Sequence, residues 1–267
     1  MKTKSLLIAL PACLFFLNLC LSPGAYGARV DLVVDHGVEK DAEDQARAAA
    51  NGVFDFFQKT YGLGLQRDIR IKFSCDKLNY KKAIKDWYGV SESQATLHAY
   101  TTAGLQRRGD LIVDLGDINS DYFQLFVLCH ELVHFYQGQE SQDKHGAIGW
   151  MLEGSADALA AHILETVGVK GASGYKKWWI ENLKKVRGVP SLESLHTRQG
   201  LMSACYTYGS RVTYTTSALA VMTLVEWRGY PALFTYFRAL RNASPEDAFY
   251  QAFGARIGDF EKQFRPF

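Results

Sequence analysis

The pentapeptide His130-Glu131-Leu132-Val133-His134 lies within a strongly apolar stretch that includes Phe126, Val127, Leu128 and Phe135. A run of that composition asks for a buried helix. A four-residue step is close to one helical turn, so both imidazoles leave the same face. Two histidines and a glutamate in such a helix need partners, because a buried polar group without one costs about 1–3 kcal/mol. Two imidazole nitrogens converging on one ion would supply that partner, and neutral histidine suits Zn2+. Glu131, adjacent to the first histidine, can then stand beside the ion and take a proton instead of ligating it.

The segment Trp150-Met151-Leu152-Glu153-Gly154-Ser155-Ala156-Asp157 supplies the rest of a site. Glu153 follows His134 by nineteen residues, on what reads as the next helix. A short connection over 138–147 lets that helix return beside the first. His130, His134 and Glu153 then form a three-ligand set that leaves a fourth position open, the pattern of catalytic rather than structural zinc. Asp157, one turn beyond Glu153, can accept the free N–H of a ligating histidine and fix its tautomer.

Residues 1–27 read as a secretory signal peptide. Lys2 and Lys4 open it, Leu6 to Leu21 is apolar, and Ala25-Tyr26-Gly27 offers small residues for cleavage. Pro11 and Asn18 interrupt the run, which argues against a membrane anchor. Leu19 before Cys20 argues against a lipoprotein signal. The expected location is therefore exported, periplasmic or secreted, with no stable membrane span after cleavage. The chain has 30 basic and 28 acidic residues, a net charge of +2, and loss of Lys2 and Lys4 brings it to zero. That balance excludes the basic excess typical of a nucleic-acid binder. Of five cysteines, Cys75, Cys129 and Cys205 remain. A Cys75–Cys205 disulfide is permitted outside the cytoplasm, and Cys129 reads as a small buried hydrophobe.

The 267 residues suggest one domain in two parts. Over 28–116, strand and helix signals alternate: strands at Arg29–Val34 and Asp68–Phe73, helices at Asp41–Tyr61 and Leu78–Tyr88. Ala95–Ala103 and Asp110–Leu115 then read as a hairpin around a Gly104–Gly109 turn. Over 117–267 the pattern is helical. Ser120 is placed as the cap of a helix ending at Gln137, with Gly138 as its stop. Further helices are expected at Ile148–Val167, Tyr175–Val186, Tyr208–Trp227, Pro231–Arg241, Pro245–Phe253 and Ile257–Phe264, with a loop from Pro190 to Gly200. A small N-terminal sheet lobe followed by a helical C-terminal lobe is an α+β arrangement. His36, His98, His145 and His162 have no ligand spacing and read as structural or solvated. The basic, aromatic segments Lys176–Trp179 and Lys184–Arg187 read as a solvated helix face.

The spacing of His130–His134 and Glu153 resembles that of the gluzincin metallopeptidases, the branch containing thermolysin and the alanyl-type aminopeptidases. Trp150–Ala156 is similar to the aminopeptidase-side pattern Trp-Leu-x-Glu-Gly-x-Ala, whereas an acid at Asp157 is closer to the thermolysin side. The segment from Gly229 through Glu246–Phe249 to Phe260 looks like the helical tail of small peptidase-MA-like proteins. The resemblance implies a thermolysin-like zincin fold and hydrolysis of a peptide or protein substrate. His130, His134 and Glu153 would hold Zn2+, and Glu131 would act as general base on a metal-activated water. It also implies a Tyr or His that stabilises the oxyanion. Tyr208, which precedes the expected Gly209–Trp227 helix, is placed there first, with Tyr206, Tyr214 and His196 as alternatives. The substrate-pairing edge strand would correspond to Ala99–Ala103. That segment lacks the Gly-x-Met-Glu-Asn sequence with which aminopeptidases hold a free amino terminus. From another class, the same residues fit a non-catalytic exported zinc-containing domain that binds peptides or envelope partners. Glu131 beside an open coordination position favours the enzyme.

Overall fold

The computed structural model describes residues 28–107, 109–116, 121–168 and 172–267. The signal peptide assigned to 1–27 and the Ser120 cap lie outside these residues. Three parallel strands, β1 (Val30–Val34), β2 (Ile69–Ser74) and β4 (Asp110–Asp114), form the body of a four-stranded sheet. A fourth strand, β3 (Gly104–Arg107), runs antiparallel to β4 at the edge, giving the order β1-β2-β4-β3. Successive side chains on a strand point to opposite faces, and both faces here are covered. Ile69, Ile71, Phe73, Leu111 and Val113 join the main core, whereas Ile112 packs with Tyr80, Ala83, Ile84, Ala95 and Ala99. The first group meets α1 (Lys40–Tyr61) and α4 (Asp121–Ser141); the second meets α2 (Lys77–Tyr88) and α3 (Glu92–Thr101).

Here the expected hairpin is corrected. Ala95–Ala103 is not a strand: most of it belongs to α3, and the edge strand begins at Gly104. The reason is local. Ser91 accepts from the Gln94 amide while the Gln94 side chain accepts from the Ser91 amide, a capping box that starts a helix at Glu92. The stop at Gly138 is also corrected, because α4 continues to Ser141. Gly138 is instead a packing glycine. A Cβ there would lie 2.8 Å from Arg67 Nη2 and 2.8 Å from Asp143 Oδ1.

The remaining helices are α5 (Gly149–Thr166), α6 (Ala172–Leu183), α7 (Arg198–Tyr208), α8 (Ser210–Arg228), α9 (Pro231–Ala239), α10 (Pro245–Phe253) and α11 (Ile257–Gln263). Helix α7 falls where only a loop and the start of the next helix are expected. Thr197 caps it by accepting from the Gly200 amide, and Gly209, at φ 87°, separates it from α8. Helix α5 is buried on almost every side between α4 and α8. Its small residues permit that: a Cβ on Gly154 would come within 2.3 Å of the Ser217 carbonyl oxygen on α8. Both halves share one core, with Phe57 of α1 stacked on Tyr136 of α4 at 3.9 Å. The chain's last described helix is tied in as well. Buried Glu261 accepts from the Trp150 indole N–H at 2.7 Å and lies 2.7 Å from His196 Nδ1.

Cys75, Cys129 and Cys205 are all free thiols, so the permitted Cys75–Cys205 bridge is absent. Cys129 is buried, which pushes its thiol up to about 12. Among the described residues, no helix is long and apolar enough to cross a membrane.

Candidate metal centre

Helix α4 presents His130 and His134 on one face, and α5, packed alongside, presents Glu153 toward them. The two imidazole Nε2 atoms are 3.0 Å apart, and each lies 3.3 Å from Glu153 Oε2. For ligands about 2.05 Å from a tetrahedral zinc, neighbouring donor atoms are about 3.3 Å apart. The triangle therefore has the size of one face of such a site. All three residues belong to the set of ligating groups expected from the spacing.

The hydrogen bonds around the triangle fix what points into it. His130 Nδ1 is 2.7 Å from Asp157 Oδ1, so the carboxylate takes the N–H and leaves an Nε2 lone pair. His134 Nδ1 is 2.6 Å from Gln137 Oε1. The Gln137 amide nitrogen already donates to Leu152 O (3.0 Å) and Ser155 Oγ (2.8 Å). Its oxygen is thus the acceptor, and His134 must also carry its proton on Nδ1. With both rings neutral, two Nε2 lone pairs and a carboxylate oxygen face one another. Three acceptors in one buried place repel one another unless a positive charge, a proton or a metal ion, lies among them. A proton can fill that role: burial opposes charge on His130, but the bonds to Asp157 and Glu153 outweigh it and raise its pKa. Burial would likewise raise Glu153, yet the flanking imidazoles of His134 and His130 hold it well below the carboxylate range.

Asp157 stands where the sequence places it. Gln137 was read only as the end of a helix, although its step of three residues from His134 puts it within one turn of the imidazole. That spacing was the signal available.

Glu131, on the turn between the two histidines, is 8% exposed and packs under the edge strand. Burial raises its carboxyl, against the lowering effect of His130 and His134. The close fit is made by Gly104 at the start of β3. A Cβ there would sit 2.4 Å from Glu131 Cγ and 2.9 Å from Oε1. Gly104→Ala is therefore expected to displace the glutamate while the sheet persists. A shift near 1 Å can cost about 10²-fold in rate. Measured kcat should fall by roughly that factor with Tm nearly unchanged; an unaltered kcat would show that Glu131 has room to spare.

Tyr208 ends α7 with its ring 41% exposed, and no contact with His130, His134 or Glu153 is found for it among the described residues. Tyr214 of α8 comes to the cluster instead, its ring centroid 6.4 Å from that of His130. The Glu153 carboxylate, followed by burial, holds the Tyr214 hydroxyl well above its ordinary range, so it stays an O–H donor. The crossing of α5 and α8 at Gly154 explains the proximity, since Ser217 and Tyr214 are one turn apart on the same face of α8. Tyr206 is 73% exposed, and the His196 ring is engaged with Glu261.

No protein-family model matches the chain, and no curated protein sequence matches it.

Proposed function

We infer that this chain is an exported, zinc-dependent peptidase with a thermolysin-like, gluzincin type of site. The reading rests on one observation above all: His130 Nε2, His134 Nε2 and Glu153 Oε2 converge to within 3.3 Å of one another beside Glu131. A zinc ion held there supplies Lewis-acid polarisation of a carbonyl and makes a water easier to deprotonate. The protein's own groups do the rest. Glu131 accepts a proton from the attacking water and returns it to the leaving amine nitrogen. Tyr214 donates its O–H to the oxyanion as the carbonyl carbon becomes tetrahedral. Asp157 and Gln137 hold the imidazoles in the tautomer that keeps Nε2 free. Strand β3, at the sheet edge and directly over Glu131, takes an extended peptide by backbone pairing. Export is supported by the composition of residues 1–27.

The test is a peptide library offered to purified protein loaded with about one zinc per chain. Cleavage that stops on chelation and returns with zinc supports the reading, whereas a zinc-loaded chain that cuts nothing in the library sinks it. Within the same assay Tyr214→Phe should lower kcat by about 10²–10³-fold at constant zinc content, and Tyr208→Phe should leave it unchanged.

A further inference from the structure

The link between α4 and α5 contains Gln142 at φ 54° and Asp143 at φ 62°, consecutive non-glycine residues in the left-handed region. Such conformations cost energy and persist where surrounding structure holds them. What holds them here comes from the N-terminal half. Arg67, in the connection between α1 and β2, donates from Nη1 to both carboxylate oxygens of Asp143 at 3.1 and 3.0 Å. Its guanidinium lies over the Phe135 ring of α4 at 5.0 Å and fills the space left by the missing side chain of Gly138. The Asp143 amide in turn donates to the Gly138 carbonyl at 2.8 Å. One residue earlier in the same connection, the Gln66 amide donates to Gln139 Oε1, and Gln139 Nε2 donates to the Gly64 carbonyl. Loop and helix end are therefore fastened at several points. His134 lies one turn before Gly138 and Glu153 ten residues after Asp143. This link thus joins the helix that carries the imidazoles to the helix that carries Glu153.

We propose that Arg67 is a positioning residue for the metal centre: its ion pair with Asp143 holds the left-handed turn that sets Glu153 against His130 and His134. The proposal rests on the zinc reading above and gives the loop Gly64–Arg67 a part in it. The ion pair is partly exposed, so its effect on global stability is small. Its effect on ligand geometry is larger, because supporting contacts around a metal site are worth about 10–100-fold in affinity.

The experiment measures zinc affinity, by competition with a chromophoric chelator, alongside Tm of the zinc-free protein. Arg67→Ala and Asp143→Ala should each weaken zinc binding by about tenfold, and the double variant should be no weaker than either single one. Asp143→Gly separates positioning from folding. Glycine adopts the left-handed conformation without strain, so it should keep the turn without the ion pair and recover most of the zinc affinity that Asp143→Ala loses. An Asp143→Gly affinity no better than that of Asp143→Ala, or additive losses in the double variant, would overturn the proposal. Wild-type protein that takes up no zinc would instead overturn the metal reading itself, which the unsubstituted chain reports separately.

Discussion

Glu131→Gln is expected to bind zinc at the wild-type stoichiometry and to lower kcat by about 10²–10⁴-fold. Glutamine has the same length and nearly the same volume, so the contact beneath Gly104 is kept and the fold is unaffected. What is lost is the ability to accept a proton. Glu131 is buried against β3 and is not among the three converging acceptors, so the substitution leaves those three groups untouched. Metal analysis by mass spectrometry and steady-state cleavage of a reporter peptide check both halves. Zinc lost together with activity would make Glu131 a structural member of the site; activity retained would remove it from the chemistry.

Glu153→Ala should produce the second large effect, on binding rather than on proton transfer. It removes one corner of the triangle and leaves two imidazole nitrogens 3.0 Å apart. A ligand that binds only the folded state stabilises it by about 4 kcal/mol at a thousandfold excess over Kd. For a domain of this size that amounts to roughly 10 °C in Tm. Wild-type protein should show that rise on zinc addition and Glu153→Ala should show almost none. Equal zinc-dependent shifts in the two proteins would place the metal elsewhere.

The cluster of His130, His134 and Glu153 was legible because helical geometry brings these side chains together. A step of four puts His130 and His134 on one face, and a step of four does the same for Glu153 and Asp157. The short link between α4 and α5 left few ways to arrange the pair. Tyr214 was not legible in the same way. Its place depends on where α5 and α8 cross, and that crossing is set by Gly154 lying against the Ser217 carbonyl. Distance along the chain pointed to Tyr208, which terminates α7 just before the Gly209 break. The misplaced edge strand has another origin. Alternation in Ala95–Ala103 imitated a strand, while the Ser91–Gln94 capping box, present in the sequence, carried the helix signal. Gly104 and Gly138 were read as turn and stop, the commonest uses of glycine. Each instead admits a side chain from elsewhere, Glu131 in one case and Arg67 in the other.

The Trp150–Glu261 hydrogen bond spans 111 residues and reaches the helix that carries Glu153. Trp150 is fully buried, so its indole donor has no partner until α11 is in place. During synthesis the motif helices leave the ribosome long before residue 261 does. A nascent chain halted within α10 would hold His130, His134 and Glu153 and still lack the acceptor that pairs with the Trp150 indole at the start of α5. The seating of Trp150, one turn ahead of Glu153, is therefore completed only by the C-terminal helix.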